Sequence, residues 1–172
     1  IVAHFWVLQS SIFCAPQTIW VTFGNSISAI CFFSTLILFF GALYSRVHAL
    51  YGIVLLIAGL GIWSPLLFPS DAQPIVDSTM GFKLHIAFGL LAYSFMLMSV
   101  VQAVLMSILN SRLKNHEALE EPEGIVASMP NLMTMERILF RVIFACFVVL
   151  TLTIITGMVS TVHYLDALLA FD

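Results

Sequence analysis

The stretch MGFKLHIAFGLLAYSFMLMSVVQAVLM, Met80 to Met106, constrains this chain more than any other. It is an unbroken apolar run with Lys83 as its one formal charge. As a helix rising 1.5 Å per residue it would reach roughly 40 Å, more than the ~30 Å hydrocarbon core of a bilayer. A run of this kind cannot clothe a water-soluble surface. The rest of the chain agrees: of 172 residues, 61% are hydrophobic and 9% charged, against roughly 25% charged in an ordinary soluble domain. Mean hydropathy is +1.08. A β-barrel would show short alternating segments instead. The fold class read from these features is all-α, a polytopic transmembrane helix bundle forming one domain over 1–172.

Five apolar segments are expected to span: Ile1 to about Cys14, about Ser26–Tyr44, Ala49–Leu67, Phe82–Leu109 and Ile138–Val162. The chain opens without Met inside the first of them, so it reads as a piece of a longer protein. That first segment lacks the basic start and small-residue cleavage site of a signal peptide. Within the third segment Gly52, Gly59 and Gly61, and within the fourth Gly89 and Ala92, are expected to admit a close helix neighbour.

Five of the six basic residues, Arg46, Arg112, Lys114, Arg137 and Arg141, fall on one side of such a bundle. That side is expected to be cytoplasmic. It carries the longest loop, at about 110–137. NSRLKNHEALEEPEG, with Pro122 and Gly124, reads as flexible. MPNLMTMERILFR then starts a helix at Asn131 or Thr134, expected as a short surface helix that feeds the fifth span. No basic patch exists to hold nucleic acid. Cys14, Cys31 and Cys146 form no CxxC, which leaves no support for a thiol reductant or a zinc site. Singly placed cysteines in apolar runs are packing residues.

Histidine is the informative residue type. His48 and His116 fall in the charged loops and read as solvated. His163 closes the fifth segment and is the weakest candidate of the remaining three. His4 and His85 lie within spans, where an ionisable group is expensive and faces the bundle interior or a cavity. His4 is expected some 15 Å deep, with His85 closer to the surface. Two readings stand. In one, each ring satisfies a neighbouring carbonyl or hydroxyl. In the other, a neutral imidazole ligates haem iron. No HExxH, GxSxG or GxxxxGK[ST] occurs, and no carboxylate lies in a span. A solute transporter is disfavoured, since neither charged span residues nor a pair of broken helices is evident.

Three stretches resemble a known family. FKLHIAFGLLAYSFMLMSVVQAVLM resembles the histidine-bearing span of the CcsA/HemX-like cytochrome c assembly proteins, and specifically of their YpjD-type inner-membrane branch. MPNLMTMERILFRVI resembles that branch's entry into the next span through Pro130, Leu132, Met135, Glu136 and Phe140. FVVLTLTIITGM resembles the segment that follows. The AHFWVL opening, with His4, and GNSISAI fit more loosely. The resemblance implies a bundle of about eight spans in a bacterial inner membrane, handling haem, with paired membrane histidines as axial ligands. Carried over by position, these are His85 and His4, acting on metal through haem iron alone. The tryptophan-rich WWD segment of the haem-delivery members is missing. The function expected is therefore haem binding or chaperoning in cytochrome c assembly, with no turnover of its own. Its partners would be the lipid bilayer and other membrane proteins of cytochrome assembly, and no nucleic acid. The alternative is a cofactor-free membrane scaffold or regulator of another complex.

Overall fold

The computed structural model describes the backbone over residues 4–6, 8, 18–19, 21–44, 48–69, 75–76, 80–114 and 131–169. Side-chain surroundings are described over the same residues except 18–19, 42–44, 48–51, 75–76, 112–113 and 163–169. In chain order the elements are β1 (Thr18–Ile19), α1 (Phe23–Tyr44), α2 (His48–Gly61), α3 (Ser64–Leu67), β2 (Ile75–Val76), α4 (Met80–Lys114) and α5 (Leu132–Leu169). Residues 4–6 and 8 are helical and lie against α1. The architecture is an all-α bundle, as expected. Among the described residues, three helices are long and apolar enough to cross a membrane: Phe23–Gly41, Met80–Ser111 and Leu132–Val162.

α1 is the centre of the bundle. Half of its apolar window is buried, against 22% for α4 and 6% for α5. It packs on α2, α3 and α4, while α5 leans on α4. One core cluster gathers Leu38, Val54, Met98, Val101, Leu105, Leu109 and Met135 from α1, α2, α4 and α5. A second joins Leu8, Ala29 and Phe32, with Leu90 of α4 against it. At the far end from the first residues of α1 and α4, Gln102 donates from Nε2 to the Met135 carbonyl at 3.2 Å, tying α4 to α5.

The third expected span is not one helix. α2 stops at Gly61, a turn runs through Ile62 and Trp63, and α3 begins at Ser64. Pro65 is the cause. It has no N–H to give the Gly61 carbonyl, and its ring crowds the turn before it. Ser64 repairs the loss. Its Oγ lies 2.7 Å from the Gly61 carbonyl and 2.8 Å from that of Gly24, so its one hydrogen is shared between them. Gly24 makes this approach possible, since a Cβ there would stand 2.7 Å from the Ser64 carbonyl oxygen.

Gly52 and Gly59 correct the packing expectation: both face open space. Gly61 alone of the three meets a neighbour, with Cys31 of α1 filling the position of its missing Cβ. α5 also differs from expectation. The stretch expected as a short surface helix is continuous with the span: α5 runs unbroken from Leu132, capped by Asn131, whose Oδ1 accepts from the Thr134 N–H at 3.0 Å. The preceding stretch 115–130, which holds most of the expected flexible loop, lies outside the described residues, as do 45–47. A short feature was not expected at all. β1 and β2 pair antiparallel, Thr18 with Val76 and Ile19 with Ile75. This ladder joins the segment before α1 to the segment before α4, so both helices start from the same end of the bundle.

Candidate functional site

His4 and His85 enter the bundle from that ladder end, at the same depth. His4 is 5% exposed, and its Nε2 lies 2.9 Å from Ser28 Oγ. Ser28 is five residues into α1, and His85 is five residues into α4. Ser28 and His85 are each therefore about 7.5 Å along their helices from the start, while the end of the first segment, from which the roughly 15 Å expected for His4 is counted, lies outside the described residues. The His4 ring also stands edge-on to Phe32, centroids 5.5 Å apart at 73°.

His85 is half-buried and directed at α5. Its Nδ1 is 2.9 Å from the backbone oxygen of Thr153. A carbonyl can only accept, so Nδ1 carries the hydrogen of this bond, and in the neutral ring the lone pair stays on Nε2. Thr156 Oγ1 approaches the same carbonyl at 3.0 Å. The α4-facing side of α5 is here a stripe of small and polar residues, Thr153, Thr156, Gly157 and Ser160, at helical spacing.

The two rings are not brought together. His85 shares a face of α4 with Ala92, whose carbonyl lies 3.6 Å from Cys146 Sγ of α5. The α1-facing side of α4 is marked by Ser94, whose Oγ reaches the Ile30 carbonyl at 3.0 Å. His85 and Ser94 are nine positions apart, which at about 100° per residue is half a turn out of phase. The ring of His85 thus lies on the side of α4 turned away from α1 and His4. His163 falls on α5 with its side chain outside the described residues, and His116 lies outside them altogether; His48 begins α2. Among the described residues no group of three or more His, Cys, Asp or Glu could hold a bare metal ion. The free thiols Cys31 and Cys146 sit against helix carbonyls, Cys31 Sγ at 3.9 Å from that of Ile57.

The bundle, with its two hydrogen-bonded histidines on apolar helices, defines a helical membrane protein. A match to the cytochrome c assembly protein family extends over residues 1–165, and the chain belongs to that family. Neither the curated proteins nor the solved structures contain a match to it.

The residues missed by sequence reasoning are Ser28, Thr153 and Gly157, the partners of the two rings. A signal existed for the last two. Thr153, Thr156, Gly157 and Ser160 recur at helical spacing and so share one face of α5, although Thr151 and Thr161 in the same run lie off it. Ser28 gave none, being one of several hydroxyls in α1.

Proposed function

We propose that this chain is a haem-handling membrane factor of cytochrome c assembly, binding or chaperoning haem without turnover, in the YpjD-type branch of its family. One observation carries the reading: the Thr153 carbonyl holds Nδ1–H of His85, which leaves Nε2 as the ligating atom. Metal-bound histidines are commonly held this way, by a backbone carbonyl on the second nitrogen. The residues present fit haem, which needs one imidazole nitrogen per axial position and an apolar surround, and do not fit a bare ion. Haem would supply an iron centre that accepts a neutral nitrogen. His85 would hold it through Nε2. His4 is the second candidate, through whichever nitrogen Ser28 leaves free, and it would act on the other side of α4. His163 is the third.

The protein would lie in a bacterial inner membrane as a multi-pass bundle with the 110–137 loop cytoplasmic, beside other membrane proteins of cytochrome assembly. The cofactor-free scaffold remains the competing reading, since each ring already has one hydrogen-bond partner. The visible spectrum of the purified full-length protein, supplied with haem, separates the two. A Soret band is expected, lost or shifted in His85→Ala and in His4→Ala and unchanged in His116→Ala. Wild-type protein without a Soret band after haem addition makes the scaffold reading the correct one.

A further inference from the structure

The ring of His85 occupies a place that the opposing helix leaves clear for it. On α4 it is flanked one turn to either side by Gly81 and Gly89. A Cβ at Gly81 would stand 2.9 Å from Ser160 Oγ, and one at Gly89 3.7 Å from Thr153 Cγ2. The two helices therefore approach closely on both sides of the ring. On α5 the decisive position is Gly157. A Cβ there would come within 3.0 Å of both Cε1 and Nδ1 of His85, closer than carbon atoms in contact normally stand. Gly157 is thus a notch in α5, and the ring edge sits in it. Glycine weakens a helix interior, so its presence in the middle of α5 calls for a local reason, and the ring supplies one.

The notch and the hydrogen bond act on the same atom. Gly157 admits the Nδ1 edge of the ring, and Thr153, one turn earlier on α5, presents the carbonyl that takes the Nδ1 hydrogen. Thr156 Oγ1 is 3.0 Å from that carbonyl as well as 2.8 Å from the Leu152 carbonyl. With Nδ1 occupied, rotation of the ring is blocked on one side by α5 itself.

We infer that Gly157 is a positioning residue for His85: its notch, with the Thr153 carbonyl, fixes the imidazole as the Nδ1–H tautomer and presents Nε2 as the one atom open to an incoming metal-centred group. The identity of that group rests on the haem-handling reading above; the seat itself does not.

The test uses full-length protein in lipid nanodiscs, labelled with ¹⁵N at histidine and free of haem. Ring ¹⁵N shifts distinguish the two neutral tautomers, and the His85 signals are assigned by their disappearance in His85→Gln. The expected result is the Nδ1–H form in wild type and loss of that single form in Gly157→Ala. With haem supplied, Gly157→Ala is expected to bind it roughly tenfold more weakly, the order of effect seen when a ligand's supporting contact is removed. An Nε2–H tautomer in wild type overturns the inference whatever the visible spectrum shows. An unchanged Nδ1–H form in Gly157→Ala removes Gly157 from the seat. The wild-type measurement decides by itself if the variant does not fold. The Nδ1–H form, sensitive to Gly157, in a protein that shows no Soret band leaves the seat standing and ends the haem reading instead.

Discussion

Ser94 carries out at one atom what the bundle does throughout. It is fully buried, and its Oγ lies 2.7 Å from the carbonyl of Leu90 on its own helix and 3.0 Å from that of Ile30 on α1. Ser34 answers from the other side, with Oγ 2.8 Å from the Ile30 carbonyl and 3.5 Å from that of Ser94. In lipid no water competes for these hydroxyls, and small side chains let the two backbones come near enough to be bridged. Ser94→Ala is expected to lower stability by about 1 kcal/mol, read as a lower thermal transition in detergent. Ser99→Ala is the control, because among the described residues the Ser99 hydroxyl bonds within its own helix, to the Phe95 carbonyl at 2.9 Å. Equal effects at the two positions would mean that the Ser94 bridge to α1 contributes nothing.

At the scale of the element, α2 and its break carry the sharpest contrast. Gly61 faces Cys31, while Gly59, two residues away, faces open space. Gly61→Leu would force a side chain into α1 and is expected to cost about 1–3 kcal/mol, the usual range for overpacking. Gly59→Leu is expected to leave the thermal transition where it is. A Cβ at Gly61 would stand 2.8 Å from Cys31 Cβ as well as against Sγ, so combining Gly61→Ala with Cys31→Gly should cost less than the two single substitutions added together, and strict additivity would show that the two positions do not touch. The break itself was legible in principle, since Pro65 stands inside the apolar run and a proline interior to a helix has a known effect. The run of apolar residues around it masked the signal. α4 and α5 were legible for the opposite reason. Their lengths follow from how long the chain goes without turn residues or dense charge, and composition reports that directly. What composition could not report is azimuth. α4 is apolar all round, so no amphipathic stripe shows which side of it faces α5 and which faces α1. The partners of His85, and its separation from His4, depend on that angle alone. The two-residue ladder was invisible too, because so short a pairing is specified by the helices that bring Thr18 and Val76 together rather than by its own residues.

For the whole molecule, the ladder places the segments before α1 and before α4 at one end, and five of the six basic residues belong to the segments of the other. The basic end is expected to be cytoplasmic. Reporter fusions made after Gln73 should therefore be active outside the cytoplasm, and fusions after Glu121 inactive there. The reverse pattern would invert the bundle and put both histidines at the cytoplasmic face. In either orientation His4 and His85 stay at a common level, since that follows from the helices and not from the membrane.

The uneven burial of the helices bears on how such a chain can change over time. α1 is half buried and packs on α2, α3 and α4, whereas only 6% of the apolar window of α5 is fully buried and α5 leans mainly on α4. On the face of α5 turned away from α4, at positions such as Phe144, Phe147 and Ile154, no side chain of the other described helices restricts which apolar residue fits. Drift should accumulate there first. It should be slowest along α1, at Ser28, Ala29 and Ser34, where each substitution has to be answered by a second one in a different helix. Between relatives, α5 would then look like a generic span interrupted by its inward Thr153 and Gly157, and α1 would hold the memory of the fold.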